Sequence, residues 1–335
     1  MEYYITILAL YILVGIIACW GLNLQFGEAG VLNFAYIIFV AAGAYTASIL
    51  TLGPAHSGGL QQYFWGTRLP WPLPWLGAAV VGGVLGLLVG ALSLRRLRGD
   101  YQAMVLLVIS ILATYLVSAK ASFLNGATGL SQVPAPFQSV LHLSTIGYRL
   151  FYIGLAAVAT LVVLEVMRRI QGSPLGRNIR AMRENEAAAA AVGHNVIAMR
   201  LMVMVVGGAV AALAGAIQVQ LIGAWAPSSW TYPETFGLFA AVIVGGRGNL
   251  GGVALGAFLV QGLFLEGTVL FPNISNPNLV GAAQWISLGL LILIFLWFRP
   301  QGVIPERKRT FGRQLEAQTL EPSWLQARLG RSARA

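Results

Sequence analysis

The 335-residue chain contains one cysteine, Cys19. An intrachain disulfide is therefore impossible, as is a metal site built from paired thiolates. Charge is equally scarce: Asp, Glu, Lys and Arg make up 10% of the residues, against roughly 25% in a soluble domain. A chain of this length with so little charge cannot cover a water-facing surface, which excludes a soluble multidomain protein. The three histidines, His56, His142 and His194, are scattered, and neither a phosphate-cradling P-loop nor an H-E-x-x-H helix occurs. These absences speak against a metal centre, a nucleophile triad or a nucleotide cofactor on this chain. Met1-Glu2-Tyr3-Tyr4 lacks the basic start of a cleavable leader, so the first apolar run reads as a retained helix.

What the chain has is apolar sequence: 57% of residues are hydrophobic and the mean hydropathy is +0.75. A helix needs about 20 apolar residues to cross the hydrocarbon core. Eight runs meet that length to a first approximation: 5–22, 29–52, 75–94, 102–119, 150–167, 201–224, 249–271 and 280–298. A ninth, 235–246, has 12 residues and covers about 18 Å as a helix. It crosses only as a short or broken helix, and Pro233 is expected to interrupt any extension toward the N-terminus. With nine crossings and the N-terminus outside, 18 of the 21 Lys and Arg fall on the cytoplasmic side, leaving Arg68, Lys120 and Arg149 outside. That asymmetry fits the positive-inside rule.

The expected fold class is therefore all-α: a polytopic transmembrane bundle of about nine spans, one short or broken, over residues 1–305. Residues 306–335 read as a basic cytoplasmic tail, disordered or in contact with lipid headgroups. The net charge of +10 belongs to membrane orientation and lipid contact, not to nucleic-acid binding. Trp65, Trp71 and Trp75 suit an interfacial belt. Small residues recur every four positions at Gly82, Gly86 and Gly90, at Gly207, Ala211 and Gly215, and at Gly252 and Gly256, which predicts close helix–helix approach.

Buried charge is sparse as well. Glu165 precedes Arg168 and Arg169 at pairing distance on a helix, Glu266 sits near a helix end, and Glu28 lies in the turn after the first helix. None looks like the mid-membrane group that ion-coupled carriers keep, so the energy for transport must come from elsewhere. Uncharged polar residues, with Glu28, are the candidates to line a path: Asn23, Gln25, Glu28, Asn33, Ser110, Thr114, Gln218 and Gln220, with Gln261 and Gln284 beside them.

The long polar stretch 168–200 is the part best suited to act on a partner. Ser173 before Pro174 is a helix-start signal, 177–192 reads as a short helix, and Gly193 reads as its stop. A helix held between two spans can enter a groove on a soluble partner or lie on lipid through Arg177, Arg180 and Arg183.

Here the sequence becomes recognisable. Ser173-Pro174-Leu175-Gly176-Arg177-Asn178-Ile179-Arg180-Ala181-Met182-Arg183-Glu184-Asn185-Glu186-Ala187-Ala188, with Val192-Gly193 after it, resembles the coupling segment of permeases in the branched-chain (hydrophobic) amino acid ABC transporter family, M-type subunit. Leu94-Arg95-Arg96-Leu97-Arg98-Gly99-Asp100-Tyr101-Gln102-Ala103, Thr128-Gly129-Leu130, Val244-Gly245-Gly246-Arg247-Gly248-Asn249-Leu250-Gly251-Gly252 and Phe298-Arg299-Pro300-Gln301-Gly302 are similar to further blocks of that family, in its order. Gly27-Glu28-Ala29-Gly30-Val31-Leu32-Asn33-Phe34 departs from the family's turn at that place.

The resemblance implies a non-enzymatic pore subunit that binds no cofactor itself. It implies a second homologous permease in a heterodimer, two ATPase subunits carrying ATP and Mg, and a periplasmic solute-binding protein. It also implies a bacterial inner-membrane location and ATPase coupling through Arg177, Arg180, Arg183, Glu184, Glu186, Ala187, Ala188 and Gly193. The implied cargo is leucine, isoleucine or valine. Urea or short amides, which the family also carries, are the alternative, and an ATP-independent carrier or channel is the reading outside the class.

Overall fold

A computed structural model describes residues 2–54, 61–94, 99–138, 143–265 and 277–306. Arg95, Arg96, Arg98, His56, His142, Glu266 and the tail 307–335 lie outside the described residues. The chain divides into one unit over Met1–Pro305 and a second over Glu306–Ala335.

In the first unit each of the nine apolar runs carries a helix. In chain order these are α1 (Glu2–Leu22), α2 (Tyr36–Thr51), α3 (Leu73–Leu94), α4 (Gly99–Ala119), α5 (Thr145–Gly172), α8 (Val196–Ile222), α9 (Tyr232–Gly245), α10 (Leu250–Ala257) and α11 (Pro277–Phe298). Between α5 and α8 lie two short helices, α6 (Pro174–Glu184) and α7 (Glu186–Ala191). Two helices continue as π-helical turns, α1 through Asn23–Glu28 and α10 through Phe258–Leu265. Among the described residues six helices are long and apolar enough to cross a membrane, on α1, α3, α4, α5, α8 and α11. The segments on α2 and α10 are shorter apolar helices. The protein is a polytopic helical membrane protein.

α9 corrects one expectation. It is a single helix of 14 residues, about 21 Å long, and Pro233 does not interrupt it. Pro233 sits in the first turn, where its missing N–H costs no helix bond and its fixed φ suits the start.

α8 forms the centre, packed along α3 and α2, with α1 against its other side. The small residues explain how closely. A methyl group added at Gly82 would sit 2.4 Å from Gly208 O, one at Gly86 2.4 Å from Met204 O, and one at Gly215 1.9 Å from Val40 O. Between α9 and α10, a methyl at Gly256 would lie 2.0 Å from Ala241 O. Lipid tails are as apolar as the side chains, so backbone approach of this kind, rather than hydrophobic exclusion, supplies the packing.

At the end of the bundle away from α6 and α7, the loops are tied together. Leu130–Ser131 (β1) pairs antiparallel with Ala224–Trp225 (β2), and Gln61 binds Ser131 at 2.7 Å. Gly129, at φ +69, lies where a side chain would meet Trp225 O at 2.2 Å. Trp65 is exposed here, whereas Trp75, expected in an interfacial belt, is buried. The Trp75 indole N–H donates to Gln220 Oε1 at 2.6 Å, because a buried indole N–H needs an acceptor.

Candidate functional site: a coupling segment and a cavity

The polar segment between α5 and α8 is built from local capping. Ser173 Oγ accepts from Gly176 N at 3.3 Å, and Pro174 opens α6. The sequence predicted one helix over 177–192; the structure has two. Asn185 takes an extended conformation (φ −152°, ψ 102°), and its Oδ1 accepts from Ala188 N at 3.0 Å. An Asn with a free short side chain caps a new helix better than it continues an old one. Gly193, at φ +90, ends α7 with the bonds His194 N to Ala189 O and Gly193 N to Ala190 O. Asn195 then caps α8 through Ala198 N at 3.0 Å.

α6 presents two faces. Gly176, Ile179 and Met182 are buried against the bundle. Arg180 and Arg183 turn inward to the π-helical end of α1. Arg180 Nη1 lies 3.0 Å from Glu28 Oε2, in an ion pair whose side chains are 25% and 2% exposed. Gln171 Nε2 donates to the other Glu28 oxygen at 2.7 Å, and Arg180 Nη2 donates to Gln171 O at 3.2 Å. Arg183 donates to Gly27 O. Glu186 pairs with Arg200 at the start of α8, at 2.8 Å. Arg177, Glu184, Ala187, Ala188 and Gly193 remain exposed. The three arginines are therefore not equivalent: two bind the protein's own first helix, and only Arg177 faces outward. Glu165 pairs with Arg169 at 2.7 Å, on the surface.

The latched turn holds several of the predicted path residues. Asn23 Oδ1 accepts from Gly248 N at 2.8 Å. Asn33 Nδ2 donates to Gln25 Oε1 at 2.8 Å, and Gln25 Nε2 reaches Met204 O at 3.4 Å. Asn23, Gln25, Glu28 and Asn33 are all buried, so these residues bind α1, α2, α8 and the α9–α10 turn to one another. Ser110 is buried on α4, its hydroxyl without a hydrogen-bond partner among the described residues, and Thr114 donates to its carbonyl.

Gln218 lies elsewhere. With Gln261 and Gln284 it lines a cavity of about 360 Å³ among α1, α2, α8, α9, the π-helical turn after α10, and α11. Val14, Ala18, Ile37, Val40 and Leu238 form apolar walls, and Glu234, Ser229 and Trp225 close the end near the paired loops. Glu234, Ser229 and Trp225 did not stand out in the sequence. A lone Glu after a Pro at the start of a short apolar run carries no recognisable spacing.

The family model described as "Branched-chain amino acid transport system / permease component" matches residues 3–298. The chain belongs to this permease family. The high-affinity branched-chain amino acid transport system permease protein LivM of Escherichia coli K12 is 30% identical over 320 residues, covering 90% of this chain and 69% of the relative. The probable branched-chain amino acid transport permease protein LivM of Methanocaldococcus jannaschii is 28% identical, covering 85% and 89%. The ribose import permease protein RbsC of Haemophilus influenzae is 25% identical, covering 78% of each chain. No solved structure matches.

In this permease the family's sequence blocks meet in space. The exit block after α11 pairs with the end of α9 through Val303 N to Val244 O, 2.8 Å, and Ile304 N to Gly245 O, 3.1 Å. The departing block at Gly27–Phe34 is the one that receives the coupling segment. The permease is thus a transport component in which some polar groups lock helices together, Gln218, Gln261 and Gln284 line a cavity, and others face outward from α6 and α7.

Proposed function

We propose that this permease forms half of the translocation pore of an ATP-driven importer of leucine, isoleucine and valine. The observation that supports it best is the likeness to the two LivM permeases over 85–90% of this chain, while the ribose permease is less similar. In this reading the pore is completed by a second homologous permease. Two ATPase subunits bind ATP and Mg and grip the exposed side of α6 and α7, around Arg177, Glu184, Ala187, Ala188 and Gly193. A periplasmic binding protein delivers solute to the paired loops. The N-terminus is periplasmic, and the C-terminus and coupling segment are cytoplasmic, in the inner membrane.

Closure of the ATPases moves α6 and α7. Since Arg180 and Arg183 are tied to Glu28 and Gly27, that motion reaches α1 as well as the flanking α5 and α8. The test is copurification of the tagged chain from native membranes, followed by ligand screening of the recovered binding protein with leucine, isoleucine, valine, urea, ribose and xylose. Recovery of two ATPases and a second permease, with leucine-class binding, is expected. Recovery of the chain alone across several detergents rejects the importer, and binding of a sugar or urea rejects the cargo.

A further inference from the structure

We infer that the 360 Å³ cavity is a site where solute rests in transit, and that it takes a zwitterionic α-amino acid with an aliphatic side chain. This rests on the importer reading above and adds to it a site and a recognition chemistry. The cavity lies at the end of the bundle remote from the coupling segment, below the β1–β2 pair, and reaches inward to Val14 and Ala18 on α1 and Val40 on α2. Its composition is specific. Three glutamines from three different elements, Gln218, Gln261 and Gln284, converge on it, and the acidic side chain on its wall is Glu234.

Among the described residues the wall carries no Lys, Arg or His, so an anionic solute finds no countercharge. An amide offers two donors and an acceptor, and a carboxylate accepts about four hydrogen bonds. The Glu234 carboxylate is of the right charge for a solute ammonium, and the amide N–H groups of Gln218 and Gln261 suit the solute carboxylate, while Gln284 Nε2 already donates to Leu265 O at 2.8 Å. Ile37, Val40 and Leu238 supply the apolar side on which an aliphatic chain loses water. Neutral amides hold a solute carboxylate less firmly than an arginine fork does, which favours release, as a transit site requires.

Gln218 is half-buried on the cavity wall, while the native Cys19 is fully buried. A Gln218→Cys variant in the full importer, read on this chain after separation of the subunits, therefore gives a thiol-labelling probe to which the native cysteine of the chain adds nothing. A charged methanethiosulfonate reagent should label it, and leucine should slow labelling several-fold, whereas the 2-hydroxy analogue of leucine, which lacks the ammonium, should not. Val40→Trp should fill the cavity and lower leucine transport by roughly tenfold or more while ATP hydrolysis continues. Gln218→Trp is the alternative filler if Val40→Trp does not assemble. Glu234→Gln should weaken leucine protection of the Gln218→Cys label by roughly tenfold, the scale of one charge-assisted hydrogen bond.

Labelling that leucine does not slow, in an importer that transports leucine, overturns the cavity while the function stands. Wild-type transport by a cavity-filled variant overturns it as well. Protection by a sugar instead of leucine overturns the amino-acid chemistry and the proposed cargo together, and leaves the cavity on the path.

Discussion

The ion pair between Arg180 and Glu28 predicts how this permease loses coupling. Arg180→Ala removes the cation facing a carboxylate that is 2% exposed, leaving Gln171 Nε2 at 2.7 Å among its donors. Removing one partner of a fully buried pair costs about 3–5 kcal/mol. Arg180 is 25% exposed, so water screens part of the interaction, and about 2–3 kcal/mol is the reasoned loss. That corresponds to roughly 30- to 150-fold in the balance between a latched and a released coupling segment.

The loss falls on the contact between α6 and α1, not on the outward face proposed to meet the ATPases. ATP hydrolysis should persist while leucine delivered per ATP falls at least about tenfold. The assay is simultaneous measurement of uptake and phosphate release in proteoliposomes holding the complete importer. A charge-swapped Glu28→Arg, Arg180→Glu double variant should recover part of the ratio, which a merely misfolded single variant could not explain. An unchanged uptake-to-ATP ratio in Arg180→Ala, in a complex that assembles normally, would refute the transmission argument.

Replacing Glu186 or Arg183 should likewise uncouple ATP hydrolysis from transport while leaving membrane insertion intact, as measured by the same ratio and by surface labelling. Gly215→Val should lower the melting temperature in detergent by the equivalent of about 1–3 kcal/mol or more, since even a methyl there lies 1.9 Å from Val40 O. Gly154→Ala, with no atom of the described residues within 4 Å of the added methyl, should not lower the melting temperature, and an equal drop in both would refute the close-packing account. Gln220→Leu should destabilise the bundle by about 1–3 kcal/mol, because the buried Trp75 indole loses its acceptor; a Trp75→Phe, Gln220→Leu pair should recover part of that loss in thermal melts.

Much of this architecture is local physics. Apolar length marks the spans, Ser173-Pro174 and Gly193 mark the ends of the α6–α7 segment, and Asn195 marks the start of α8, since capping acts within three or four residues. The series of glycines at four-residue spacing announced where helices touch. Where reading failed locally, the cause was also local: Pro233 fits a first turn as well as it breaks a later one, and Asn185 serves as a cap as readily as a helix residue.

The rest depended on partners far apart in the chain. Helices that are apolar on every side carry no stripe to say which face is buried, so nothing in the sequence separated Gln218, on the cavity wall, from Gln220, two residues away and bound to Trp75. Nor could spacing reveal that Glu28 meets Arg180 across 152 positions. The sequence alone determined that the chain crosses a membrane many times and carries a capped polar segment between two of its helices, because length, charge and capping are short-range properties. Tertiary structure decided which element that segment is tied to and which polar groups line the cavity, because in an apolar surrounding each buried polar group must find its partner wherever the fold brings one.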